Sequence, residues 1–541
     1  MSYVAPIADI RFALEAAADL WSLRGKTDAL GELDHNLLEA ILSGAGALAA
    51  DTLAPLNRSG DQAGVSLKDG VVTTAPGFKA AYKEFADAGW LGLAADDAYG
   101  GQALPRAVSL ATMEMVHAAN MSFGLLPILS LGAIEAISLH GAQDQKDLYL
   151  AKLISGEWTG TMNLTEPQAG SDLAAINTKA VPAADGSYRI SGQKIFITWG
   201  EHDFTDNIIH LVLARIEGAP AGSKGISLFI VPKFRDEDGS RNALRCVGLE
   251  QKLGIHASPT CVMQYDGATG WLIGKENEGL AAMFTMMNAA RINVGVQGVA
   301  VAEAAYQHAL AFARERRQGP SYIVEYPDVR RMLMTMRCKI QAARALCYAA
   351  AVAADAGEHA REALLTPIAK AWSTDVGVEA ASLGLQIHGG AGYVEQTGAA
   401  QFYRDARIAP IYEGTNGIQA MDLYSRKLLG DRGEAMHAMI AEARALKTEH
   451  APHLPVAIGA LTDATEYMLS AQRDDALAGA YAYLELAGDV FGAALLAGGV
   501  ARAKDKEQAT LLAFFDANVL ARAPARLVAI KQGAAALLSY A

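Results

Sequence analysis

Ile208-Ile209-His210-Leu211-Val212-Leu213-Ala214-Arg215-Ile216 and, a little further on, Ile226-Ser227-Leu228-Phe229-Ile230-Val231 mark where the texture of the chain changes. Branched and aromatic side chains at this density favour strands, because they are stiff at χ1 and pack well on a pleated surface. Turn signals such as Asp185-Gly186 separate the runs, so the stretch from Glu157 to Gly274 reads as a compact β domain. Outward from it the pattern turns helical on both sides. Ile7 to about Ser155 is Ala- and Leu-rich with helical spacing, punctuated by Asn57-Arg58-Ser59-Gly60 and Ala98-Tyr99-Gly100-Gly101. Leu280, Met283, Phe284 and Met287 then mark one face of a long helix, and amphipathic segments follow to Leu429. The chain stays helical to Ala541, with a break at Pro452 to Pro455.

The expected fold is therefore α+β. Its parts are an N-terminal extension (1–32), an N-terminal helical domain (33–156), a β domain (157–275), a second helical domain (276–430) and an extra C-terminal helical domain (431–541). A length of 541 residues with 51% hydrophobic content supports several cores. The formal net charge of -13 argues against a nucleic-acid partner, which normally needs clustered Lys and Arg. The four cysteines form no C-x-x-C pair, and Met1 to Asp9 lacks a basic and an apolar leader region, so a reducing cytoplasm is the expectation. The apolar stretch from Ala118 to Ile134 is interrupted by Asn120, Gly124, Pro127 and Gly132, which predicts buried helices and no membrane span.

Several chemistries lack their signatures. Gly389-Gly390-Ala391-Gly392 has neither the spacing nor the preceding strand of a dinucleotide fingerprint, and no nucleophile elbow, P-loop or H-E-x-x-H occurs. Glu201, His202, Asp203, Asp206 and His210 could ligate a metal, but such a set reads more simply as solvated loop residues, and no metal is expected. His256 and His388 read as hydrogen-bonded structural imidazoles.

Five ordered blocks carry a more specific signal. They are Leu164-Thr165-Glu166-Pro167-Gln168-Ala169-Gly170-Ser171-Asp172, Gly192 to Thr198, the helix from Arg291 to Arg316, Gln386-Ile387-His388-Gly389-Gly390, and Ile411-Tyr412-Glu413-Gly414-Thr415-Asn416-Gly417. Together they resemble the acyl-CoA dehydrogenase family from about Leu33 to Leu429, in its larger branch with extensions at both ends. The resemblance implies FAD between the β domain and the second helical domain, an acyl-CoA substrate, a homodimer, and an electron-transferring flavoprotein as acceptor.

It also implies roles residue by residue. Met162, Leu164, Thr165, Gly170, Ser171, Phe196 and Thr198 correspond to flavin contacts, with Ser171 also near the CoA. Taken alone, each serine or threonine is equally a turn residue, and Phe196 equally a core aromatic. Arg316 and Gln318 match a flavin-pyrophosphate contact across the dimer, where a guanidinium fork suits a diphosphate. Gly319 replaces a common Phe there, which puts the local packing in question. Gln386, Gly389 and Gly390 correspond to a turn that approaches the second subunit's FAD, or form a simple helix C-cap. Thr415 and Asn416 match positions near the adenosine diphosphate, while Gly417 replaces a common Gln.

Glu413 is the implied base, with its main-chain N–H and Gly414 at the thioester and Arg291 lining the substrate cleft. Some relatives carry the base immediately before that arginine; here the residue is Ala290, which selects Glu413. An α-proton of a thioester is weakly acidic, so the site must raise the base's pKa and stabilise the enolate. An acyl-CoA oxidase, and a DNA-associated flavoprotein of the same fold, remain alternatives. The second normally uses a basic C-terminal domain, whereas residues 431–541 hold 10 Lys or Arg against 13 Asp or Glu. Phe123 and Pro127 are expected to floor the acyl cavity and to favour short to medium or heteroatom-containing chains.

Overall fold

Strand Asn207–Ile216 is buried at every position except the half-buried Arg215, and it pairs with three other strands. Its first half runs parallel to Trp158–Asn163, its end parallel to Lys179–Pro182, and most of its length antiparallel to Ser227–Pro232. Lys179–Pro182 continues to Tyr188–Thr198, then Thr260–Ile273, which returns to Ser227–Pro232 and closes the sheet into a barrel. Burial on both faces explains why these runs are continuously apolar rather than alternating. The computed structural model describes residues 3–236 and 238–540.

The barrel also buries polar groups. Tyr265 donates to Asn163 Oδ1 at 2.8 Å, and Asn163 Nδ2 meets His210 Nδ1 at 3.2 Å; burial pushes the His210 imidazole down to about 3, so it stays neutral. Glu201 and His202 are likewise buried, against the expectation of solvated loop residues. Glu201 is paired with Lys233 and, at 2.8 Å, with Arg241, while His202 meets Thr159 Oγ1 at 2.9 Å. The buried charges persist because each is paired, and His202 because both ring nitrogens find a partner. Among the described residues no group of three or more His, Cys, Asp or Glu side chains gathers as a metal-ligand set.

One buried ion pair pins the first signature turn to the barrel. Lys194, on Tyr188–Thr198, reaches Glu166 at 2.8 Å and the Leu164 carbonyl at 2.9 Å. Glu166 further accepts from the N–H groups of Asn177 and Thr178 at 2.7 and 3.0 Å. Burial works to raise the Glu166 carboxyl, but the Lys194 ammonium and these donors bring it down to about 2.

The stretch Ala118–Ile134 falls in helices Arg106–Ala119 and Met121–His140, divided at Asn120, whose side chain caps the second by accepting from Phe123 N at 3.1 Å. Both pack on the long helix Gly279–Glu315, beside Pro327–Asp355 and His359–His388. Arg344 joins the two helical domains at their centre, meeting Glu114 at 2.7 Å and Glu303 at 3.0 Å, all three buried. By length and composition three helices could cross a bilayer, and in two of them, Met121–His140 and Arg473–Ala503, most of the apolar window is buried inside the protein.

The C-terminal helices Arg473–Ala503 and Lys506–Asn518 pack on this bundle, with Trp372 Nε1 donating to Asp489 Oδ1 at 3.0 Å, and Leu454–Ser470 packs on Arg473–Ala503. The segment Phe12–Ala17 lies against Arg473–Ala503. There Arg502 donates to the Ala16 carbonyl at 2.7 Å and Gln508 to Asp9 at 2.7 Å.

Removing one partner of a buried pair leaves an uncompensated charge, so Glu166→Ala is expected to cost about 3 to 5 kcal/mol. The depressed Glu166 carboxyl stabilises the fold above the ordinary carboxylate pKa, and that contribution is lost as pH falls toward about 2. The urea midpoint of the first unfolding transition measures the loss, which is expected to shrink in acid. Asp87→Ala, which breaks the exposed Lys83–Asp87 pair, should leave that midpoint unchanged.

Candidate active site

Glu413 sits in the left-handed region at φ +55°, and Gly414 follows at φ +83°. Two such residues in succession turn the chain sharply between the turn at Ile408 to Tyr412 and the helix Asn416–Asp422. Thr415 caps that helix, accepting from Ile418 N at 3.2 Å. A Cβ on Gly414 would stand 2.8 Å from Gln419 Nε2, which donates to the carbonyls of Glu413 and Gly414 at 3.3 Å each. Among the described residues, no acceptor takes the Glu413 N–H.

Behind the turn lies a buried ammonium. Lys370 Nζ donates to the Gly414 carbonyl at 2.9 Å and to Asn416 Oδ1 at 2.8 Å. Arg291, also buried, meets Asp422 at 3.4 Å. Burial raises the Glu413 carboxyl above the ordinary carboxylate value, while the charges of Arg291 and Lys370 work against that rise. Lys370 is in turn lowered by burial to about 7, with Glu413 and Asp375 opposing.

Met162, Thr198 and Glu413, from three separate segments, line one cavity of about 550 Å³. Ala290 lines it too, so the alternative position for a base faces the same space and carries no carboxylate. Leu110, Leu125, Ile128 and Leu129 supply an apolar wall, and Tyr412 and Gln297 a polar spot. Tyr412 donates its hydroxyl to Gln297 Oε1, and Gln297 Nε2 lies 3.5 Å from His117, whose imidazole burial pushes down to about 3. Sequence reading missed Lys370, Gln297 and His117. Phe123 and Pro127, in contrast, do not line the cavity: the Phe123 ring packs on Phe78 and Phe85, with centroids 6.1 and 5.9 Å away. The expected floor of the acyl pocket is therefore a core contact.

The remaining predicted flavin-site residues do not line this cavity. Thr165 and Leu164 are half-buried, and the Thr165 carbonyl accepts from Ile195 N at 2.9 Å. Phe196 stands at a bulge with φ +59° and is 58% exposed, an unusual setting for a strand aromatic and one suited to a flat ligand ring. Gly170 and Ser171 are exposed on the same turn. Arg316 follows the helix Gly279–Glu315 as its C-cap, and with the Gln318 side-chain amide turned over, Gln318 Oε1 would accept from the Arg316 guanidinium at 2.7 Å. Gly319 occupies a hairpin turn at φ +61°, which accounts for a glycine where a Phe is common. Gln386, Gly389 and Gly390 are exposed at the end of helix His359–His388, and a Cβ on either glycine would meet no atom within 4 Å. His388 packs between His308 and Phe312, as a structural imidazole does. His256 pairs with Asp61 at 2.8 Å. Asn416 is buried against Lys370, Thr374 and Asp375, and Gly417 is exposed.

Comparison with known proteins identifies relatives of this arrangement. Residues 39–157, 161–268 and 277–428 match the N-terminal, middle and C-terminal domains of acyl-CoA dehydrogenases, and residues 433–541 match the acetyl-CoA dehydrogenase C-terminal-like family. The chain is 46% identical over 526 residues to 3-methylmercaptopropionyl-CoA dehydrogenase of Ruegeria pomeroyi, covering 91% of this chain and 89% of that protein. It is 35% identical over 480 residues to a butyryl-CoA dehydrogenase of Syntrophomonas wolfei, covering 82% of this chain and 78% of that protein. The solved acyl-CoA dehydrogenase of Bacillus anthracis, complexed with FAD, shares the fold with a TM-score of 0.77 over 96% of this chain and 91% of that one, at 22% identity.

Gly414→Ala places a side chain in the left-handed region and against Gln419, so it should destabilise by about 1 to 3 kcal/mol. Gly417→Ala, in a helix with only Thr415 Oγ1 near its Cβ at 3.8 Å, should be neutral or stabilising. Thermal unfolding of the two variants side by side measures the difference.

Proposed function

The chain belongs to the acyl-CoA dehydrogenase family, and from that premise we propose that Glu413 removes the α-proton of an acyl-CoA thioester, yielding a trans-2-enoyl-CoA. The observation that carries this reading is a carboxyl raised by burial on the wall of the cavity that Met162 and Thr198 share. A raised pKa makes the carboxylate a stronger base, and the left-handed turn leaves the Glu413 N–H available to polarise the thioester oxygen. As the Cα–H bond breaks, its proton passes to Glu413 and its electron pair forms the Cα=Cβ bond, while the Cβ hydrogen departs with its bonding pair as hydride. Bound FAD supplies the two-electron acceptor for that hydride. The exposed Phe196, with Met162, Leu164, Thr165 and Thr198, fits a ring system at this place. Arg316 and Gln318 suit its diphosphate.

Exposed Gln386, Gly389 and Gly390 at the end of helix His359–His388, with Tyr393 93% exposed beside them, support a homodimer in which this surface meets the second subunit's cofactor. An electron-transferring flavoprotein is the proposed acceptor, since reduced flavin must be reoxidised from outside. The four cysteines are buried free thiols, which supports the cytoplasm as the compartment.

Glu413→Gln keeps the shape of the site and cannot take a proton, so the holoenzyme variant should bind acyl-CoA but lose nearly all anaerobic flavin bleaching. In the wild type, bleaching should rise with pH through an apparent pKa above the usual carboxylate range, because only the deprotonated Glu413 acts. Bleaching at wild-type speed in the variant overturns the reading.

For the acyl group we propose short chains, with or without a heteroatom, on the strength of the substrates named for relatives at 46% and 35% identity. A panel of 3-(methylthio)propanoyl-, butanoyl-, octanoyl- and hexadecanoyl-CoA should give the highest kcat/KM for the first two. A preference for hexadecanoyl-CoA overturns it.

A further inference from the structure

Helix His359–His388 presents Lys370 to the catalytic turn and Asp375 to the C-terminal domain, and a continuous polar chain connects the two. Tyr481, on helix Arg473–Ala503, donates its hydroxyl to Asp375 Oδ2 at 2.5 Å. Asp375 Oδ1 accepts from Asn416 Nδ2 at 2.9 Å. Asn416 Oδ1 accepts from Lys370 Nζ at 2.8 Å, and the same ammonium holds the Gly414 carbonyl at 2.9 Å. The Asn416 amide has one workable orientation, because its nitrogen also faces the Ala371 carbonyl at 3.1 Å and Thr374 Oγ1 at 3.0 Å.

The chain does not serve docking alone. Trp372 and Arg526 already clasp Asp489 at 3.0 and 2.9 Å, and the apolar faces of the C-terminal helices are buried. Tyr481, at 38% exposure, lies at the rim of that contact, yet its hydroxyl points inward to the carboxylate of Asp375, which also accepts from Asn416.

We propose that Tyr481 is a positioning residue for proton abstraction: through Asp375, Asn416 and Lys370 it fixes the Gly414 carbonyl, and with it the left-handed turn that aims Glu413. The C-terminal domain is thereby part of the active site. This rests on the reading of Glu413 as the base. Around the chain, Lys370 faces Glu413, Asp375 and Arg291; Asp375 faces Tyr481, Lys370 and Arg407; Tyr481 also faces Glu485. Buried hydrogen-bond chains are coupled, so loss of one link is felt at the next.

A double-mutant cycle on the holoenzyme tests this by anaerobic flavin reduction at saturating butanoyl-CoA. Tyr481→Phe should slow reduction roughly two- to tenfold, the effect of one hydrogen bond, with FAD content, thermal midpoint and butanoyl-CoA affinity unchanged. Lys370→Met should slow it further and move the rising limb of the pH profile upward, because a cation facing Glu413 is gone. Adding Tyr481→Phe to Lys370→Met should then change nothing more. Should Lys370→Met fail to fold, Asp375→Asn takes its place in the cycle. Wild-type reduction in Tyr481→Phe, or effects that multiply in the double variant, overturn the proposal while leaving Glu413 in place as the base. Flavin reduction by Glu413→Gln removes the underlying reading instead.

Discussion

Lys370 is fully buried, and an ammonium in that position must be matched by oxygen atoms or lose its proton. The two oxygens that match it belong to Gly414 and Asn416, on either side of Thr415, so satisfying the charge fixes the conformation of the segment that carries Glu413. A second buried cation, Arg291, is held from the other side by Asp422. Burial thus raises the Glu413 carboxyl, and two cations work against that rise. The left-handed φ values at positions 413 and 414 are the conformational cost of this arrangement, and they persist because the flanking groups over-determine them.

Much of the architecture was legible because it follows from local chemistry. The density of branched residues at 208–216 and 226–231 marked the barrel strands, and Asn120 and Gly389 fall at helix boundaries. Barrel closure was not legible, since it depends on which strands meet rather than on any one of them. In the site, Met162, Thr198 and Glu413 converge on one cavity although 251 positions separate the first from the last. Lys370 escaped notice because a lysine in a helix normally lies outside. Its setting was the available signal: Leu364 to Trp372 is an apolar run with one charge in it.

The misplaced Phe123 shows what a motif alone leaves out. Leu125, Ile128, Leu129 and Gly132 line the cavity and follow the i, i+3, i+4, i+7 stripe of a helix. Phe123 stands two residues before the first of these, about 200° around the axis at about 100° per residue, which directs it to the opposite face and onto Phe78 and Phe85. Glu201 and His202 erred in the other direction. Polar residues between strands read as loop, but here Lys233, Arg241 and Thr159 provide partners that let them be buried.

The seat of Phe12–Ala17 is the helix Arg473–Ala503, and this has a temporal meaning. On the ribosome the early segment is made first, and the surface it will occupy is made hundreds of residues later. At about 5 to 20 residues per second that interval is roughly half a minute to a minute and a half. During it, Phe12 and Leu14 have no native neighbours from the C-terminal helices, so the nascent chain must carry them exposed or hold them in provisional contacts. Completion of the clasp by Arg502 and Gln508 is accordingly a late event in biogenesis, one that registers whether the last hundred residues have arrived.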